Sequence, residues 1–275
     1  MKKNEKTSEK GLSFTVIAMV GLVCAVLFSV TLFAINHLYH NFSPSLRSSQ
    51  RLFERGRYED ALSNIEKIPL DNRSNAELYI LRAKILLSML HDELKEEQWG
   101  SYGQDPQNWI PSPLAADAQQ SLILALEEQP HNRDALFLLG NLYKRQGRFE
   151  KALRKLRYVS ELYPEDIEVL LSLAVLFSET DQFTRSEDIL RKAWGIDTSN
   201  PDVAKNLAFL YRYHLFEPES SMVWFNRYLN LNPVGDLDVN LARKELIDLM
   251  DRYPEFVLPD SLLWREKGKR FTSRH

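Results

Sequence analysis

Apolar residues follow two different rules along this chain. From Leu12 to Asn36 they run almost unbroken, with Ser13, Thr15, Ser29 and Thr31 as the polar interruptions, and no charged residue occurs between Lys10 and Arg47. Twenty-five helical residues rise roughly 37 Å, enough to cross a hydrocarbon core of about 30 Å. Residues 12–36 are therefore predicted to be a transmembrane helix. From residue 43 the apolar positions regroup into short stripes at helical spacing. Leu136, Leu139, Gly140 and Tyr143 fall at i, i+3, i+4 and i+7, one face of a helix. Gly147 breaks that stripe, Phe149, Ala152, Leu156 and Val159 start another, and Pro164 ends it. The spacing predicts two antiparallel helices in residues 133–166.

The stripes recur. Gly140, Ala174 and Ala208 are each 34 residues apart, as are Ala118, Ala152, Ser186 and Ser220. Tyr143, Phe177 and Tyr211 form a third column, and Leu122, Leu156, Leu190 and Trp224 a fourth. A fixed period of this length means stacked helix pairs, each too small to bury its apolar face alone. The columns divide the chain at about 43–74, 75–132, 133–166, 167–200 and 201–233; the last unit is irregular at His214–Pro218 and carries one extra residue, so that Pro233 falls one place beyond the column of Pro164. Arg227 falls in an apolar column, which predicts a displaced second helix in that unit. Asp236–Arg252 reads as a capping helix over residues 234–253, and 254–275 as a basic tail ending in Arg265, Lys267, Lys269, Arg270 and Arg274.

One step breaks the period. Ala83 to Ala118 spans 35 residues where 12 are expected, which places an insertion at 91–113 between the two helices of the second unit. It holds Trp99, Tyr102 and Trp109 in an acidic setting, and long aromatic loops of this kind are candidate binding features.

Leu139-Gly140-Asn141-Leu142-Tyr143, then Ala152, then Pro164, resembles the tetratricopeptide repeat, and the agreement of several columns extends the resemblance over residues 43–233. The resemblance implies an all-α solenoid, a right-handed superhelix of helix pairs, here preceded by one transmembrane helix. It also implies a concave groove lined by the first helices and holding a peptide or helix of a protein partner. Carried over residue by residue, the groove positions are Asp134, Phe137, Asn141, Lys144 and Arg145; Glu168, Leu171, Val175, Ser178 and Glu179; and Asp202, Lys205, Phe209, Arg212 and Tyr213. Phe137, Leu171, Val175 and Phe209 would form an apolar floor, with Lys144, Arg145 and Arg212 on a rim. Phe137 and Leu171 stand where family members that clamp a carboxylate need polar side chains, so clamping is not expected.

Charge and cysteine usage narrow the classes further. Residues 37–253 carry 26 basic and 33 acidic residues, opposite in sign to a phosphate-binding footprint, so no nucleic-acid partner is expected. Cys24 is the single cysteine and lies inside the apolar run. No catalytic, cofactor or metal constellation is present in the pattern, and an enzyme is not expected. Lys2, Lys3, Lys6 and Lys10 crowd the short segment 1–11, which by the positive-inside rule predicts a cytoplasmic N-terminus and an extracytoplasmic, periplasmic domain. The run is longer than a cleaved signal's core and continues into His37, Leu38, Tyr39 and His40, so it is expected to be retained as an anchor. Gly21, Ala25 and Ser29 lie four apart on one face of it, a small-residue stripe on which membrane helices pair. The functional expectation is a membrane-anchored scaffold, adaptor or chaperone-like factor for envelope proteins. The alternatives are a structural subunit of a membrane complex or a cytosol-facing receptor built on the same repeat.

Overall fold

A computed structural model describes residues 45–70, 75–97, 112–231 and 238–256. The chain divides into two compact units between Asp71 and Asn72, where the repeat pattern alone predicted one domain over 43–233. In the first unit, α1 (Leu46–Glu54) and α2 (Tyr58–Ile65) form a helical hairpin. Ser45 and Ser48 cap α1 reciprocally. The side-chain carbonyl of Asn64 on α2 accepts from the Ser45 N–H at 3.3 Å and from the Ser48 and Ser49 hydroxyls at 3.1 and 3.0 Å. This ties the start of α1 to the end of α2 around the buried Ala61 and Ile65.

The second unit stacks helix pairs: α3 (Ala76–Glu97) with α4 (Pro113–Glu128), α5 (Arg133–Arg145) with α6 (Phe149–Leu162), α7 (Ile167–Glu179) with α8 (Phe183–Ile196), and α9 (Pro201–Leu210) with α10 (Pro218–Asn230). A last helix, α11 (Val239–Arg252), covers α10 and buries Ala242, Leu246 and Leu249 against it. The start of each first helix is written in the sequence: Asn132, Asp166 and Asn200, one period apart, accept hydrogen bonds from the N–H groups of Ala135, Val169 and Val203. The turn to each second helix is closed by one residue at positive φ, Gly147 at 65° and Asp181 at 55°. There the N–H five residues on returns to the first helix, Arg148 to Tyr143 and Gln182 to Phe177. Where the helices cross, Gly140 lets α6 come close enough for Leu156 to lie against the backbone, and Ala174 and Ala208 are fully buried at the equivalent positions.

The fourth pair breaks the period in an informative way. Helix α9 runs into a five-residue π turn, Tyr211–Leu215, and the positive-φ residue is Phe216 at 56°. The closing bond runs from the Glu217 N–H to the Tyr211 carbonyl, six residues rather than five. The turn absorbs the extra residue, and every later position in α10 moves on by one. The buried small residue is Ser221, whose hydroxyl donates to the Ala208 carbonyl as that of Ser186 donates to Ala174. The residues buried behind it are Phe225 and Tyr228. Ser220, Trp224 and Arg227, aligned by strict counting, fall beside these positions. The predicted displacement of α10 by Arg227 therefore does not arise: its guanidinium lies on the flank, 4.5 Å from the Trp224 ring and 5.8 Å from the Trp194 ring.

Two boundaries also move. Helix α3 continues to Glu97, so the first residues of the predicted 91–113 insertion are helical. His91 to Glu97 contains no glycine or proline to stop it. Helix α11 begins at Val239 rather than Asp236. Trp99, Tyr102 and Trp109 lie outside the described residues, as do the predicted span 12–36 with Gly21, Ala25 and Ser29, and tail residues 257–275. Among the described residues, no helix is long and apolar enough to cross a membrane.

Candidate functional site

The first helices α5, α7 and α9 lie side by side, which brings the sequence-predicted groove positions onto neighbouring elements but gives them different fates. Phe137 is 7% exposed. The Arg133 guanidinium sits 4.8 Å over its ring, so Phe137 belongs to the core rather than to a groove floor. Arg133 also holds Asp166 at 2.7 Å, Glu168 at 2.5 Å and Asp134 at 3.1 Å, while Lys84 holds Asp134 at 2.5 Å. This ladder joins the third turn of α3 to the N-terminal turns of α5 and α7. Burial alone would raise the Asp134 and Asp166 carboxyls, but the Lys84 and Arg133 hydrogen bonds outweigh it and hold both below the usual range. Asp134 and Glu168 are thus committed to stacking.

The predicted cationic rim is likewise reassigned in part. Arg212 donates to Glu245 and Asp248 of α11 at 2.7 Å each, and Lys205 lies 3.3 Å from Asp202 and 3.2 Å from Asp238. Both side chains bind the cap to the last pair instead of facing a ligand. Lys144 and Asn141 are half-buried and Arg145 is exposed. Burial lowers the Lys144 ammonium, and attraction to Glu179 only partly opposes this.

Between α7 and α9 the remaining positions enclose a cleft of about 220 Å³. Val175, Ser178 and Glu179 come from α7, Ser186 and Leu190 from α8, Asn206, Phe209 and Leu210 from α9, and His214 from the π turn. Phe209 forms one wall, set edge-on to Phe225 at 5.2 Å and stacked on Tyr213 at 6.0 Å. Tyr213 is 45% exposed and continues the apolar surface outward. Leu171 is half-buried against the same core but lies outside the cleft. His214 stacks on Phe183 at 4.6 Å. It was absent from the groove pattern because only the π turn swings that position against the cleft. Asn206 was missed for a simpler reason, since its counterparts Leu138 and Ser172 show no shared chemistry.

The polar groups of the cleft are unequally satisfied. The Ser178 hydroxyl donates to Ser186, which donates to the Ala174 carbonyl, both at 2.8 Å. The Asn206 amide nitrogen donates to the Asp202 carbonyl at 2.8 Å. Glu179 is exposed at the rim, yet the wall beside it raises its carboxyl above the usual range, against the opposing attraction of Lys144.

Two tetratricopeptide repeat models match the sequence, over residues 115–166 and 144–210. Solved structures agree at the level of the fold. A thermophilic tetratricopeptide protein of Thermus thermophilus, TTC0263, is 18% identical, with 74% of this chain and 97% of that one covered at a TM-score of 0.53. PilF of Pseudomonas aeruginosa is 18% identical over 76% of this chain and 89% of its own, with a TM-score of 0.52. YrrB, described as a repeat protein with an unusual peptide-binding site, is 15% identical over 76% and 98%, with a TM-score of 0.51. No curated protein matches the chain.

Proposed function

We propose, on the premise that this chain carries tetratricopeptide repeats, that it is a protein-interaction scaffold or chaperone-like adaptor and not an enzyme. A segment of a partner protein is held in the cleft between α7 and α9. The observation that carries this reading is the cleft itself. Val175, Leu190, Phe209 and Leu210 line it, and of these Val175 and Phe209 are positions predicted for a groove that are not spent on stacking. The peptide-binding site named for YrrB belongs to that protein and supports a peptide as the class of ligand. Replacing Val175 with Glu puts a charge on the half-buried floor. Capture of the partner, measured by quantitative affinity purification in mild detergent, is expected to fall roughly tenfold, about 1.4 kcal/mol, with melting unchanged within a few degrees. Undiminished capture would place the partner elsewhere.

The uncharged run at 12–36 supports a retained membrane anchor, and the lysine excess before residue 11 supports a cytoplasmic N-terminus with the repeats outside the cytoplasm. Alkaline phosphatase fused after His275 is then expected to be active in a bacterial host; activity only from a cytoplasmic reporter at the same place would reverse the orientation. A second reading, a permanent subunit of a membrane complex, is favoured by Leu162 and Ile196. They are one period apart and each 40% exposed on the second helices, a repeated apolar feature suited to a fixed neighbour. One stoichiometric partner in the purification supports that reading, and many substoichiometric clients support the adaptor.

A further inference from the structure

The cleft is selective in its chemistry as well as its shape. At about 220 Å³ it falls below the roughly 300–1,000 Å³ usual for small-molecule pockets, a size suited to one side chain. Its walls are apolar, with Val175, Leu190, Phe209 and Leu210, which suits an aliphatic stem. Most of its polar donors are already used: the Ser178 and Ser186 hydroxyls and one N–H of the Asn206 amide donate within the protein, which leaves the second Asn206 N–H and the His214 ring. The acidic group left facing a ligand is the Glu179 carboxylate, and the Asn206 side-chain oxygen adds a second acceptor. No hydrogen bond or ion pair to Glu179 occurs among the described residues; it stands exposed at the rim, where the neighbouring wall disfavours its charge and attraction to Lys144 opposes this in part. Arg212, on the neighbouring turn, is occupied by Glu245 and Asp248.

We propose that the cleft receives a lysine or arginine side chain of the bound segment, its stem against Phe209 and Val175 and its head paired with Glu179. This rests on the cleft being the protein-binding site. A long basic side chain suits both halves of the cleft, because its methylenes bury along apolar surface while its head reaches a polar rim. The aromatic wall adds a face on which a cation is attracted. An acidic or carboxylate-ended segment would instead meet an unneutralised Glu179.

The test uses the full-length protein in mild detergent, methyl-labelled, titrated with acetyl-Ala-Ala-X-Ala-Ala-amide peptides in which X is Lys, Arg, norleucine or Glu. Shifts of the Val175, Leu190 and Leu210 methyl signals report occupancy. The Lys and Arg peptides are expected to bind roughly two- to fivefold tighter than the norleucine peptide, the effect of one half-exposed ion pair, and the Glu peptide weakest. In Glu179→Gln the ratio of Lys to norleucine affinity is expected to fall to about one. If norleucine binds as tightly as Lys, or if the ratio survives in Glu179→Gln, the basic-residue assignment is wrong while the cleft remains a binding site. If none of the peptides moves these methyl signals, the assignment and the reading of the cleft both fail.

Discussion

Deleting Phe216 is expected to unfold the C-terminal end of the repeat array, although it removes a side chain that is 77% exposed and sits at positive φ. Taken alone, the change should help. A bulky residue in the left-handed region costs about 1–2 kcal/mol, and its removal restores the regular period. The damage comes through register. One residue fewer turns α10 by about 100° relative to the turn. Ser221, Phe225 and Tyr228, all 0% exposed, then leave the core, and Ser220 and Arg227 enter it. An unpaired guanidinium in an apolar core costs several kcal/mol, and a lost Phe contributes about 3–5 kcal/mol more. Hydrogen exchange should show α9, α10 and α11 losing protection together, with α5 and α6 retained. Adding Arg227→Leu to the deletion should recover part of the loss, because the restored period then places an apolar residue in the apolar column. A deletion that melts within about two degrees of the wild type would show that the π turn does not set the register of α10.

Gly140→Leu is the second large effect. A Cβ built on Gly140 already lies 2.9 Å from Cγ and Cδ2 of Leu156, so a whole isobutyl group has to push α6 away from α5. Overpacking costs typically 1–3 kcal/mol, and the upper end applies here because Leu156 is fully buried. At roughly 2–4 °C per kcal/mol for a domain of this size, the first melting transition should drop by about 6–12 °C. Gly140→Ala separates crowding from the loss of glycine. Alanine carries the same Cβ at 2.9 Å from Leu156, but it improves helix propensity by about 1 kcal/mol, and Ala174 and Ala208 occupy the same position in the next two pairs, so the two effects should offset and this variant should lose far less than Leu. Equal losses for Ala and Leu would mean that α6 cannot yield at all at this crossing.

These two positions show what the sequence made legible. The crossing at Gly140, Ala174 and Ala208 and the helix pairs around it were readable because each depends on a close contact repeated at a fixed count; the caps at Asn132, Asp166 and Asn200 repeat at the same count but were not picked out. The irregular turn at His214–Pro218 was visible but its effect on the register beyond Phe216 was not, because counting residues assumes that every turn closes with the same hydrogen bond. A six-residue closure hides one residue and moves Ser220 and Arg227 out of columns that they match on paper. The extension of α3 past His91 was hidden similarly: without a left-handed residue to end it, the helix simply continues.

The candidate site was half legible. Val175 and Phe209 were found by position and do line the cleft. Phe137 was assigned to the same surface but is taken into the core, because Arg133 covers its ring while reaching for Asp166 and Glu168. Arg212 and Lys205 looked free because their partners Glu245, Asp248 and Asp238 lie beyond the last repeat, where no column points to them. His214 came to the cleft only through the π turn.

The most direct measurement of the central claim is site-specific photocrosslinking in intact cells. A benzoylphenylalanine at Phe209 faces the cleft, and one at Leu162 probes the exposed column of the second helices. A partner held between α7 and α9 gives a discrete crosslinked band from position 209, lost when Val175→Glu is added and absent from position 162. A band from position 162 alone, indifferent to Val175→Glu, would contradict the account and assign the partner to the second helices.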